Sequence, residues 1–178
     1  MTEITPAQIK DVCALVAHYI STQRDKYAAR AGPLPERHKL SLSPFFSPEL
    51  LDTVRIVVLG NERVATPDFY PLLRSLGFTD LPDQSTMAAI TFNEVVVSHA
   101  PFTSGLLFHE FVHVEQYRQL GIARFSELYV HGFISGGGYD SIPLEVSANT
   151  LGGQFESNPK QAFSVADEVR RWTVEGRF

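Results

Sequence analysis

His109-Glu110-Phe111-Val112-His113 sets two imidazoles four residues apart, with a carboxylate beside the first. Positions four apart share one face of a helix, so both rings can meet a single ion. Glu110 is poorly placed to be a third ligand beside them. Its side chain instead reaches the face where a metal-bound water would lie, and can take that water's proton. Leu106, Leu107 and Phe108 precede or overlap the motif, and Phe111 and Val112 fill its spacer. Two histidines and a glutamate are costly to bury in such apolar company without a purpose. The pattern therefore points to zinc and to hydrolysis: a catalytic zinc takes three protein ligands and keeps a fourth position for water.

The third ligand must lie outside the motif. The extended pattern HExxHxxGxxH would supply it locally, but Gln116 and Gln119 stand at the required glycine and histidine positions. Glu115, His131, Asp140, Glu145, Glu156 and the distant His99 are the candidates. Glu145 is best placed, in Ile142-Pro143-Leu144-Glu145-Val146-Ser147-Ala148-Asn149, early in a helix opened by a proline. The small residues Ser147 and Ala148 permit close packing against the motif helix. Asn149 follows one turn after Glu145, where its amide could orient a ligand histidine. His131 is the next candidate. For the donor that stabilises an oxyanion, Tyr139 stands out, after Gly136-Gly137-Gly138 and before the Glu145 helix. His131 and Tyr129 are alternatives, and Tyr139 could equally anchor its loop.

The elements that position these groups can be read from periodicity and punctuation. Thr5-Pro6 starts a helix whose apolar positions (Ile9, Val12, Cys13, Val16, Tyr19, Ile20) recur at helical spacing to about Ala29. Cys13 reads as a small core residue on that face. Residues 31 to 48 carry Pro33, Pro35, Pro44 and Pro48 and read as an irregular connection, with a short helical turn at Ser47-Pro48. Val54 to Leu59 predicts a buried strand, and Thr66-Pro67 a short helix to Leu76. Ala88 to Ser98 predicts a second strand, Thr103 to Leu120 the motif helix stopped by Gly121, and Ala123 to Phe133 another helix. A helix from Pro143 to Ser157 follows, and a last one after Ser164, with Asp167 completing a capping box. This is an α+β pattern with a small mixed sheet and a mostly helical C-terminal half. One domain over residues 1–178 is expected: an N-terminal helix (1–30), strands and motif helix (54–120), and a helix bearing the third ligand (142–158).

HEFVHVEQYRQLG followed by IPLEVSAN resembles the gluzincin branch of zincin metallopeptidases, which carry HExxH on one helix and a glutamate ligand on the next. More narrowly, AITFNEVVVS and SGLLFHEFVHVEQ are similar to short bacterial zincin-like domains with an HELTHVVQQ-type helix, some of which accompany contractile injection systems. The resemblance covers roughly residues 54 to 150 and is most specific in the motif helix. It implies a zincin-like fold, Zn2+ held by His109, His113 and Glu145, and Glu110 as general base of a peptidase. It also implies that the strand 88–98 borders the cleft, where an extended peptide could pair with it. Little chain follows Glu145, so the large substrate domain of the bigger enzymes is not expected.

Composition narrows the alternatives. Fifteen basic against twenty acidic residues leave a net charge of −5, which disfavours nucleic acid as a partner. Cys13 is the only cysteine, so neither an intrachain disulfide nor a cysteine-rich zinc site is available. Met1 to Pro6 has no basic stretch of a secretory leader, and no apolar run has the length of a membrane span, so a cytoplasmic protein is the default expectation. Two rival readings remain: a zinc-binding structural or interaction domain of zincin fold without useful turnover, and a hydrolase of non-peptide amides or esters.

Overall fold

The computed structural model describes residues 4–178; Met1 to Glu3, part of the N-terminal stretch read above, lie outside the described residues. Helix α1 (Pro6–Ala28) opens with a capping box in which Thr5 and Gln8 each satisfy the other's backbone N–H. Its apolar face buries Val12, Cys13, Ile20 and Tyr27. Cys13 is a free thiol in the core, packed with Val12, Tyr70, Leu73 and Val130. The proline-rich connection is more regular than expected. It holds a two-residue strand β1 (Gly32–Pro33) and a helix α2 (Glu36–Leu42), before α3 (Pro48–Thr53), which Ser47 caps. Prolines at 33 and 35 did not prevent this, because Pro33 lies in an edge strand and Pro35 sits just outside the helix, where its missing N–H costs nothing.

Strand β2 (Arg55–Val58) is only half-buried, and Val58 is exposed, so it is not the buried strand its β-branched run implied. Helix α4 spans Tyr70–Ser75, later than Thr66-Pro67 would start it, since residues 66 to 69 form an irregular approach ending in a turn. The apolar run 88–98 is not one strand but a tight hairpin, β3 (Ala89–Phe92) and β4 (Val95–Ser98). Asn93 makes the reversal at φ 58°, a left-handed conformation that asparagine tolerates better than most residues. The sheet has the order β1-β2-β4-β3, with β2 parallel to β4 and the other pairs antiparallel. Strand β4 is buried throughout, while β3 forms the edge that packs against the motif helix.

That helix, α5 (Ser104–Gly136), is two arms joined at Gly121, whose φ of 72° and ψ of 163° are open to glycine and strained for other residues. Thr103 caps its start and Gly137, in the left-handed conformation, its end. A 3-10 turn (Tyr139–Ser141) leads into α6 (Pro143–Ser157), and Ser164 caps α7 (Val165–Val174). Ser164 accepts from the Asp167 N–H, but the reciprocal half of the expected capping box is not formed. Helix α5 packs chiefly on α6 and α1, with β3 and α7 also against it. Phe108 stacks on Phe155 of α6 at 4.4 Å and meets Phe45 edge-on at 5.3 Å. No helix among the described residues is long and apolar enough to cross a membrane.

The second arm of α5 is held close to the start of α6 by a glycine. A Cβ on Gly132 would lie 2.6 Å from Cδ of Pro143 and 3.4 Å from Cα of Ile142. Neither the proline ring nor the backbone can swing aside, so Gly132→Ala must push the α6 N-terminus outward. We expect a loss of about 1–3 kcal/mol, read as a fall of several degrees in the thermal midpoint. Gly153→Ala, where a Cβ meets nothing, should leave the midpoint unchanged or raise it.

Candidate metal centre

His109 and His113 stand one turn apart on the first arm of α5, and Glu145 comes to them from the first turn of α6. The Nε2 atoms of the two histidines are 3.2 Å apart. One oxygen of Glu145, Oε2, lies 3.5 Å from Nε2 of His109 and 3.3 Å from Nε2 of His113. Three donors about 2.0–2.2 Å from one ion at tetrahedral angles would be separated by about 3.3–3.6 Å. The three side chains thus already have the spacing of three corners of a tetrahedron around a small divalent ion. They form a possible metal-binding triad, and among the described residues no fourth His, Cys, Asp or Glu joins it.

The electrostatics match. Glu145 is almost fully buried, with 7% of its side chain exposed. Burial alone would favour its neutral form, but His113 and His109 hold its carboxyl well below the usual range. Burial likewise disfavours a charge on His113, yet Glu145 outweighs it and lifts the imidazole to about 9. At neutral pH His113 therefore carries a second proton, whose charge answers the buried carboxylate. A metal ion must displace that proton to bind.

The orientation of His113 is set by Gln116, a residue that sequence reasoning had considered only as the interruption of a longer motif. Nε2 of Gln116 donates to the carbonyl of Leu144 at 3.0 Å. That fixes the amide's orientation and turns its oxygen to Nδ1 of His113, 2.8 Å away. A carbonyl-type oxygen can only accept, so Nδ1 carries the proton and Nε2 keeps its lone pair for the metal. The same amide ties the ligand helix to the residue next to Glu145. The supporting role assigned to Asn149 is not seen: Asn149 is exposed and makes no side-chain hydrogen bond among the described residues, while Gln116 serves His113. The visible signal was position, since residue 116 is one turn after His113 on the same face.

Glu110 is buried beside the triad without belonging to it. Thr91 of β3 donates its hydroxyl to Oε2 of Glu110 at 2.7 Å. Burial raises the Glu110 carboxyl above its ordinary value, an effect that His113, His109 and the Thr91 hydroxyl only partly reverse. Thr91 was not singled out from the sequence, because nothing in an alternating strand marks which position faces a neighbouring helix's carboxylate.

The other candidates are placed elsewhere. Glu115 is buried but paired with Arg118 at 2.7 Å and bonded by Gln119. His99 clamps two loops: its Nδ1 meets the Met87 carbonyl at 2.6 Å and its Nε2 accepts from the Val64 N–H at 3.0 Å. His131, Asp140 and Glu156 are exposed. Tyr139 and Tyr129 are partly buried with ring centres 6.5 Å apart, and both border the same cavity as Glu110, His113 and Glu145. Burial and the charge of Glu145 keep both phenols protonated, which suits a hydrogen-bond donor. His131 does not border that cavity.

No protein-family model, curated protein or solved structure matches the chain.

Metal-competition titration separates the two amides. Gln116→Ala should weaken divalent-metal affinity about 10- to 100-fold, the usual effect of losing a residue that supports a ligand histidine. Asn149→Ala should leave affinity unchanged. A loss in Asn149→Ala that matches or exceeds that in Gln116→Ala would reverse the assignment.

Proposed function

We propose that the protein is a zinc-dependent hydrolase whose substrate is a peptide, with His109, His113 and Glu145 as metal ligands and Glu110 as general base. The observation that carries this reading is the placement of Glu110: buried, held by Thr91, and bordering the same cavity as His113 and Glu145 while staying out of the ligand set. Two imidazoles and one carboxylate at tetrahedral spacing suit zinc, and the absence of a fourth protein ligand among the described residues leaves a coordination position for chemistry. When bound, zinc supplies Lewis acidity, which acidifies water and polarises a carbonyl.

The chain's own residues account for the remaining steps. Glu110 takes the proton from the attacking water as its oxygen bonds to the scissile carbonyl carbon. It then delivers that proton to the departing nitrogen, so that one water is consumed and an acid and an amine are released. Its raised pKa brings it nearer to the working pH than an exposed glutamate would be. Tyr139, or Tyr129 beside it, offers a phenolic O–H for the negative charge that develops on the carbonyl oxygen. Strand β3 is one of the two outer strands of the sheet and carries Thr91, so an extended peptide laid along its free edge would pass the base. Similarity of the motif helix to zincin peptidases agrees with this arrangement.

Glu110→Gln tests the proposal, because glutamine keeps the shape and loses the basicity. Zinc content and folding should stay near wild type while hydrolysis of a diverse peptide library falls about 100- to 10,000-fold. Zinc lost together with activity would make Glu110 a ligand. A fully zinc-loaded wild type that cleaves no peptide would favour a binding domain.

A further inference from the structure

The site is more enclosed than a peptide substrate allows. His109 is 21% exposed, but His113 and Glu145 are each 7% exposed and Glu110 is 4% exposed. The cavity beside them has a volume of about 130 Å3. An apolar protein cavity of about 150 Å3 takes up one benzene molecule, so a peptide bond with residues on both sides of it does not fit. A wall must move to admit one. Besides the first arm of α5, Tyr139 and Glu145, the walls are α1, the segment from Pro67 to Met87, strand β3 and the second arm of α5. Three of these four are tied to other elements by polar contacts. Tyr19 of α1 donates to the Ala65 carbonyl at 3.0 Å, and Arg24 to Glu94 at 2.7 Å. The carbonyl of Met87 is held by His99 at 2.6 Å. Strand β3 is laddered to β4 and bonded through Thr91 to Glu110. The fourth wall, residues 122–136 of α5, differs. Its one side-chain hydrogen bond or ion pair among the described residues is internal, from Arg124 to Glu127 at 3.0 Å. Even Ser126, fully buried, leaves its hydroxyl without a partner.

We propose that this second arm of α5 is a lid, closed in the structure described, which swings away from α1 about its two ends to admit a peptide to Glu110 and the triad. What is admitted rests on the hydrolase reading; the motion itself rests on how the arm is held. Apart from its ends, the arm is attached by apolar packing, which has no directional requirement. Phe125 and Leu128 lie in one cluster with Ile20, and Val130 in another with Val12 and Cys13. Both ends are glycines at positive φ. Gly121, at φ 72° and ψ 163°, occupies a region essentially reserved for glycine, and Gly137 has φ 76°. A few such terminal residues are enough to absorb the rotation of a rigid element between them. The close contact of Gly132 with Pro143 lies near the Gly137 end and serves as the pivot. The first arm cannot follow, because it is bonded to β3, α6 and α7 through Glu110, Gln116 and Gln119. Tyr129 travels with the lid, so its phenol joins the site only on closure.

Methyl relaxation dispersion on the zinc-loaded wild type tests the motion without any catalysis. Leu128, Val130 and Ile134 should share one exchange process in the microsecond-to-millisecond range, while Leu107, Val112 and Val114 of the first arm stay flat. Flat profiles along the second arm, or exchange confined to Leu73 and Leu81 of the opposite wall, overturn the proposal. A lock tests the consequence. Val130→Cys places a second thiol in the cluster that holds Cys13, the one native cysteine, and oxidation would join the lid to α1. With the bond formed, cleavage of the peptide library should fall about tenfold or more, since only the open fraction admits substrate, and should return on reduction. Unchanged cleavage in the locked protein overturns the lid and leaves the hydrolase intact. Exchange along the second arm in a protein that cleaves nothing overturns the hydrolase and leaves the lid. The wild-type dispersion decides for or against the lid even where the engineered bond fails to form.

Discussion

A carboxylate almost fully removed from water must be answered by positive charge, and Glu145 is such a carboxylate. Its two nearest partners are imidazoles on another helix, so the docking of α6 on the first arm of α5 and the assembly of the site are one event. If α6 withdrew by an ångström or two, Glu145 would keep its desolvation cost and lose its partners. The neighbouring structure serves to prevent this. Phe108 stacks on Phe155, and Gln116 bonds the backbone beside Glu145. Gly132 removes the side chain that would keep Pro143 away.

The sheet contributes differently. Edge strand β3 presents Thr91 to Glu110, which keeps the carboxyl group that lies outside the candidate triad in a fixed orientation. The site therefore has two carboxylates in contrasting environments a short distance apart. Glu145 is matched by imidazoles and stays ionised, whereas Glu110 has only a hydroxyl and longer-range charges to offset its burial, and its pKa rises. Environments that push two carboxyl groups in opposite directions are a common way of giving one a binding role and the other a proton-transfer role.

Much of this was legible in the residue order. The spacing of His109 and His113, the proline before Glu145 and the glycine stops at 121 and 137 are local signals, and local signals survive into the fold. The hairpin at Asn93 was hidden because the flanking residues read as one continuous β-branched run. Helix α2 was hidden by prolines that happen to sit at harmless positions. Asn149 was a reasonable inference from a one-turn step along α6, but that step carries its amide to the outside of the helix. What supports His113 is a contact between a side chain on α5 and a carbonyl on α6, and a backbone carbonyl has no signature in a sequence. The cavity was likewise invisible, since its walls come from parts of the chain far apart in order.

The candidate triad has one further property. Glu145 follows His109 by 36 residues, and the parallel pairing of β2 with β4 closes a connection of similar length, from Val58 to Val95. Neither is joined by a tight turn: the rest of α5 and the turn Tyr139–Ser141 intervene in the first, and α4 and the hairpin strand β3 in the second. Loop closure of that length carries a comparable entropic cost in both. The triad is therefore a product of the folded whole and not of a local segment, and the chain gathers its three donor groups only when the two helices have docked.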